Sequence, residues 1–403
     1  MSWKTTNAHL EKQQLIKEWE GGDYGVAELA RRFGVSRKTA YKWLERYELE
    51  GSEGLEERSR APEHHPNALE EEIVTMVLEC KMRWPSFGAP KLWRKLWPRL
   101  GAERCPAESS ISRILHQHGM TRPRGRRRWR GAGEGGGSTY GGNNAVWCTD
   151  FKGWFRTGDG RVCTPLTISD GYSRYLLRCQ GLHGGTGSAV VRAIFEATMR
   201  EYGVPVVIHS DNGAPFASSG VGGLTDLAVW WLRVGIRLER SRPGCPQDNG
   251  RHERLHRTLQ EATAEPPAAT PRAQQRAFDA FREEYNQERP HEALGGQTPA
   301  EVYQPSPRNF PERLPRYPEY PSAWLTRNIR GGGQMTWQGA DVMITKVLAG
   351  QQVGLEPVGD GVWRVHFAAQ VLGLFDERKK HLAPIPKAKR PSVQAVPSAA
   401  PAS

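Results

Sequence analysis

The chain is poor in cysteine and in long apolar runs. Its six cysteines, at positions 80, 105, 148, 163, 179 and 245, include no Cys-x-x-Cys pair. This spacing speaks against a zinc knuckle and against a disulfide framework, so a reducing cytoplasm is expected. No segment approaches the ~18 apolar residues of a membrane span, and Met1-Ser2-Trp3-Lys4 is not an apolar signal region. Acid is also in short supply. Against 44 Asp and Glu stand 56 Lys and Arg, a formal charge of +12. Such an excess favours a polyanionic partner through counterion release. A length of 403 residues allows roughly two to four domains with one sizeable core.

Against this basic background three carboxylates stand out. Asp150 lies in Trp147-Cys148-Thr149-Asp150-Phe151 and Asp211 in His209-Ser210-Asp211-Asn212-Gly213, each in or at the end of a short apolar run that reads as a strand. Glu253, in Asn249-Gly250-Arg251-His252-Glu253-Arg254, lies one turn into a helical segment. Acids delivered in this way can converge at a sheet edge. Metal-assisted phosphoryl transfer needs hard oxygen ligands, and two Mg²⁺ ions, with Mn²⁺ as a substitute, are the expected cofactors. Asp150 would bridge both ions, Asp211 completing the shell of one and Glu253 that of the other. Taken singly, Asp211-Asn212-Gly213 reads as a turn. Glu253 alone reads as a surface residue, sharing a polar helix face with Asn249, His256 and Arg257 while Leu255 and Leu259 point inward.

Residues 1–60 have the periodicity of a helix-turn-helix. Leu10, Leu15, Ile16 and Trp19 are followed by Val26, Leu29, Ala30 and Phe33 at spacings of three and four. Gly34 breaks the helix and Ser36 can cap the next. There Ala40, Trp43 and Leu44 face inward, leaving Arg37, Lys38, Tyr41 and Lys42 outward, where base edges and phosphates would be met. A plain helical hairpin with a charged face shows the same periodicity; the turn chemistry and the basic outer face favour DNA. Residues 68–120 form a second, helix-turn-helix-like unit. Residues 121–144 combine a basic arm with a glycine-rich linker. The arm holds Arg122, Arg124, Arg126, Arg127, Arg128 and Arg130, which cannot pack in a core and suit phosphates or a narrow minor groove. Residues 145–303 alternate strands and helices, as in an α/β sheet covered on both faces. Pro305 to Pro321 reads as a linker, 323–384 switches to period two and predicts a small all-β barrel, and 385–403 reads as a disordered tail.

The motifs around the three acids resemble those of bacterial insertion-sequence transposases with a retroviral-integrase-type core, the DDE group of the RNase H fold. The matching stretches are Trp147 to Phe151, His209 to Gly213, Ser241 to Leu259, Tyr285 to Leu294 and Thr298-Pro299-Ala300. The resemblance implies a multidomain protein: an all-α helix-turn-helix region, an α/β RNase H-like core and the C-terminal β-barrel. Asp150, Asp211 and Glu253 would be its catalytic, metal-binding triad. Its partner would be double-stranded DNA, both element ends and target, bound by a homo-oligomer in a bacterial nucleoid. His256 and Arg257 match family positions near the scissile phosphate. Arg240 and Arg242 flank the loop before the Glu253 helix and are expected phosphate contacts. One departure is length: Asp211 and Glu253 are 42 residues apart, several more than usual for the group, and the extra residues fall in Ser218-Ser219-Gly220-Val221-Gly222-Gly223. Asp170, in an Asp-Gly context, reads as a hairpin turn. A non-catalytic DNA-binding regulator and a simple metal nuclease are the competing readings; the intact triad speaks against the first, the end-recognition domains against the second.

Overall fold

A serine and a glycine set the first turn as expected. Gly34 adopts φ +67°, open to glycine at no steric cost, and the Ser36 side chain accepts a hydrogen bond from the Thr39 amide at 3.1 Å. The computed structural model describes residues 8–58, 69–121, 140–242 and 250–384, in two units, 1–70 and 71–403. In the first, α1 (Ala8–Glu20), α2 (Val26–Arg32) and α3 (Arg37–Glu50) close on Leu15, Leu29, Phe33, Ala40, Trp43 and Leu44. Lys12 is only 1% exposed. Its ammonium is held because it donates to the Leu55 carbonyl at 3.1 Å and the Glu57 carboxylate at 3.0 Å, and lies 3.6 Å from the centre of the Trp43 ring.

The second unit opens with α4 (Glu71–Arg83), α5 (Ala89–Arg104) and α6 (Glu108–Gln117). These helices are tied to the core that follows. Glu288 accepts from the Trp84 indole at 2.9 Å, and Arg289 donates to the Ser86 hydroxyl at 3.1 Å. The core sheet has six strands: β1 (Val146–Phe151), β2 (Phe155–Arg156), β3 (Val162–Asp170), β4 (Leu176–Leu182), β5 (Val207–Ser210) and β6 (Arg237–Arg240). Across the sheet the order is β4-β3-β1-β5-β6, with β2 on the start of β3. β3 runs antiparallel to β1 and β4, whereas β1, β5 and β6 are parallel.

Two-residue alternation divides the strands between two cores. Leu166 and Ile168 of β3, with Trp147 of β1 and Ile208 of β5, pack under α7 (Ser188–Tyr202) and α8 (Asp226–Arg233). Cys163 and Cys179 face the other way, against Leu255 and Leu259 of α9 (Gly250–Thr263) and Phe278 and Phe281 of α10 (Pro271–Glu283). The proline-rich linker is a strap over the first core. Ser306 and Arg308 exchange backbone hydrogen bonds with Tyr202 and Val204, and Phe310 and Leu314 pack on the apolar cluster.

The C-terminal region corrects one expectation. β7 (Leu325–Asn328), β10 (Gln352–Gly359), β11 (Val362–Phe367), β12 (Gln370–Asp376) and β13 (His381–Ala383) form an antiparallel sheet in the order β13-β12-β11-β10-β7, while β8 (Gln334–Trp337) and β9 (Ala340–Met343) pair only with each other. The ladders do not close into a barrel. The physical reason is α8. Its residues Leu227 to Leu232 are all buried, with Leu227, Trp230 and Trp231 in the cluster under the core sheet and Ala228, Val229 and Leu232 in the β cluster. A helix apolar all round covers the apolar face that closure would otherwise bury. The additional glycine-rich residues between Asp211 and Glu253 serve the same junction. Val221 joins the β cluster, and a Cβ at Gly222 would stand 3.0 Å from Leu372.

Trp231 lies between Phe195 and Phe216 at ring distances of 4.9 and 6.1 Å and is 1% exposed. Trp231→Ala is expected to destabilise the second unit by about 3–5 kcal/mol. Trp231→Phe costs less, because a ring stays between Phe195 and Phe216 and the cavity left behind is smaller. Urea unfolding of the full chain measures both.

Candidate active site

The parallel pairing of β1 with β5 sets the first two acids side by side. Cys148 is registered with His209; two residues further along each chain stand Asp150 and Asp211. Both therefore emerge at the same level, at the carboxyl ends of neighbouring parallel strands, where open α/β sheets place their ligands. Asp150 and Asp211 are half-buried. The turn after β5 is built around its own acid: the Asp211 carboxylate accepts from the Gly213 amide at 3.1 Å, and a Cβ at 213 would come within 3.0 Å of that carboxylate. Asn212 donates to the Ser241 carbonyl at 2.7 Å, tying this turn to the end of β6.

Helix α9, which carries Glu253, packs on the sheet face that holds Thr167. Asp150 is paired across the ladder with Thr167, so the two side chains share a face. The Thr167 hydroxyl donates to the Asp150 carbonyl at 3.2 Å and accepts from the ring Nε2 atoms of His256 at 2.8 Å and His252 at 3.1 Å. One hydroxyl thus links the strand of the first acid to the helix of the third. Both rings are neutral. Burial, then the Lys152 charge, pushes His256 down to about 4. Burial, then His256 and His209, pushes His252 well below its usual value. Glu253 itself is exposed. Among the described residues no three His, Cys, Asp or Glu side chains cluster closely enough to hold a metal by themselves.

The remaining candidates divide by position. Arg37, Lys38, Tyr41 and Lys42 are exposed at the start of α3, and Arg242 and Arg257 are exposed in the second unit. His256 does not share the open face of Glu253; it points inward to Thr167. Arg240 is spent on structure, donating to the carbonyls of Gly222 at 3.3 Å and Gly223 at 2.7 Å. Arg122, Arg124, Arg126, Arg127, Arg128 and Arg130 lie outside the described residues. Asp170 is 1% exposed and closes its turn, accepting from the Asn144 amide at 2.7 Å and from the Ser173 amide and hydroxyl at 2.8 and 2.6 Å. Sequence reading missed Thr167 and His252. The four-residue spacing of His252 and His256 was visible, but their shared partner lies 85 residues from His252.

A mixed sheet of this order, with helices on both faces and acids at its carboxyl edge, lies within the residues that integrase core domain models match. Integrase core domain models match residues 142–246 and 234–299, a helix-turn-helix domain model matches 11–63, and a homeodomain-like model matches 39–115. The chain is 30% identical over 159 residues to an uncharacterized 31.7 kDa protein of insertion element IS407 from Burkholderia multivorans, covering 39% of this chain and 54% of that one. A 39.2 kDa protein of IS476 from Xanthomonas euvesicatoria is 29% identical over 159 residues, covering 39% of this chain and 44% of that one. The chain thus spans about half the length of these relatives. Among solved structures, the HTLV-2 integrase catalytic core in complex with magnesium aligns with TM-score 0.32 at 15% identity, covering 41% of this chain and 100% of that chain. A simian T-cell lymphotropic virus intasome aligns at 0.33 and 17%, covering 72% of this chain and 97% of that chain. The chain thus carries regions matched by integrase core and helix-turn-helix domain models and is similar to proteins of insertion elements. Among the described residues no helix is long and apolar enough to cross a membrane.

The buried imidazoles carry a pH signature. The unfolded chain takes up a proton at His256 near pH 6.5, whereas the folded chain holds it neutral down to about 4. Stability is therefore complete above pH 6.5 and falls as pH drops toward 4, by about 3 kcal/mol from His256 alone. Urea unfolding between pH 7.5 and 4.5 should show the fall, and His256→Gln should flatten it. An equal fall in the variant would remove His256 as its source.

Proposed function

We propose that the protein is a transposase that cleaves DNA at the ends of a mobile element and joins the freed 3′-hydroxyl to target DNA. The observation that carries this reading is the level placement of Asp150 and Asp211 on adjacent parallel strands, beside the helix that bears Glu253. The donor set fits a hard cation. The nearby imidazoles of His252 and His256 are turned inward onto Thr167, which leaves carboxylate oxygens, the ligands Mg²⁺ prefers. Two Mg²⁺ ions, or Mn²⁺ in their place, held by Asp150, Asp211 and Glu253 would activate the attacking oxygen and stabilise the leaving one.

The protein's own residues then bind and orient. In the first step a water oxygen bonds to phosphorus and the bond to the element's 3′ oxygen breaks, leaving a 3′-hydroxyl. In the second step that hydroxyl attacks a target phosphodiester and displaces the target's own 3′ oxygen. Neither step needs a protein nucleophile. Arg257, four residues from Glu253 on α9, and Arg242, just after β6, hold phosphates in this reading; both are exposed. Arg37, Lys38, Tyr41 and Lys42 contact the terminal repeat, and the arginines between 122 and 130 add salt-sensitive affinity. Two ends must be paired for joining, so the protein works as a homo-oligomer on DNA.

Asp150→Asn, Asp211→Asn and Glu253→Gln should each reduce cleavage and joining of an end duplex to background while leaving its binding within a few-fold of wild type. Joining at wild-type rate in any of the three would overturn the assignment. Ca²⁺ should support binding better than turnover. Arg37→Ala should weaken end binding by ~1–3 kcal/mol if it contacts a base; an unchanged footprint at equal protein concentration would refute its placement.

A further inference from the structure

On another side of α9 lies a cavity of about 640 Å³, and half of its twelve lining residues are cationic. Lys91 of α5, Arg174 from the turn between β3 and β4, Arg251, Arg254 and Arg257 of α9, and Arg289 line it, with one exposed carboxylate, Glu292. Among the described residues none of these six cations forms an ion pair. Arg251 donates to the Gly171 carbonyl at 3.3 Å and lies over the Tyr140 ring, and Arg289 bonds Ser86. Arg254 has only a 3.4 Å contact to the Gly250 carbonyl. His291 belongs to the same wall, its Nε2 buried and without a hydrogen-bond partner among the described residues.

Electrostatics make the same point. Burial and Arg289 push Lys91 down to about 7. Burial, then Lys91, Arg289 and Arg174, pushes His291 to about 3, so its ring stays neutral. Like charges crowded in excess over acids are costly, and a bound anion relieves that cost.

We propose that this cavity is a second DNA site, which takes backbone phosphates of a strand that continues past Glu253 and over α9. The cations come from several separate elements around a cavity of this size, which suits consecutive phosphodiesters better than a single small anion. The arrangement is also continuous with the acids. Arg251, Arg254 and Thr258 form a stripe at spacings of three and four, Glu253 lies roughly 130° around the helix from it, and Arg257 falls between. The site would anchor the strand by charge, and it uses α5 to couple the second helical unit to the core.

The inference rests on the reading that this protein binds DNA, and the test separates the two. Full-length wild type, Arg254→Ala and Lys91→Gln are titrated with a labelled duplex in EDTA at a series of salt concentrations, after thermal melting has shown each variant folded. Arg254 is exposed, so its loss leaves packing intact. Arg254→Ala should reduce the slope of log affinity against log salt by about 0.9 and weaken binding several-fold, and Lys91→Gln should do likewise. Wild-type binding with both variants unchanged in slope and affinity overturns the pocket alone. No duplex binding by wild type overturns the DNA reading and the pocket with it. A third arm titrates inorganic pyrophosphate: a rise in wild-type melting temperature that Arg254→Ala abolishes, with duplex binding unchanged, would make this a small-anion site and overturn the DNA occupant.

Discussion

The core sheet of this protein depends on one pairing, β1 alongside β5 in the parallel sense. Parallel register delivers both strand ends to the same edge of the sheet, and Cys148 opposite His209 puts Asp150 and Asp211 level. A slip of one residue would reverse the face of every side chain on β5. The register is held by burial on both faces: Trp147 and Ile208 under α7 and α8, and Val146, Cys148 and Val207 on the other side. The apolar runs that read as strands thus carry positional information about the acids that follow them.

The second constraint is local and polar. Thr167 is fully buried, and its hydroxyl is used by two imidazoles and by the Asp150 carbonyl. A buried hydroxyl left unpaired would be costly, whereas one satisfied on every side fixes the elements it joins. Helix α9 is accordingly pinned through His252 and His256, leaving Glu253 on the open side. The same helix separates the acid site from the cationic cavity, so one element orders both faces on which a polyanion would lie.

The junction with the C-terminal sheet shows how an added segment is absorbed. The glycine-rich residues between Ser218 and Gly223 look like a loose loop in sequence. In the structure Arg240 binds two of their carbonyls and Leu372 packs on Gly222. An arginine that reads as a phosphate contact is thereby a structural clamp, half-buried and lowered in pKa by that burial. The strap from 305 to 321 behaves similarly, because its prolines exclude ladder pairing but leave Phe310 and Leu314 free to pack.

Local rules were sufficient wherever neighbouring residues made the decision. Gly34 and Ser36 set the helix-turn-helix turn, the spacing of Val191, Phe195 and Met199 sets α7, and the Asp-Gly context of Asp170 sets its hairpin. The three acids stood out in the sequence because their flanking motifs are short and contiguous, and β1 and β5 set Asp150 and Asp211 level. What tertiary structure alone decided involves partners far apart in the chain. Thr167 meets His252, Lys91 meets Arg289, α8 covers the β sheet in place of barrel closure, and His256 turns inward rather than outward. Helical periodicity assigns a residue to a face, but which face is buried depends on the sheet that packs against it. No local pattern encodes that choice.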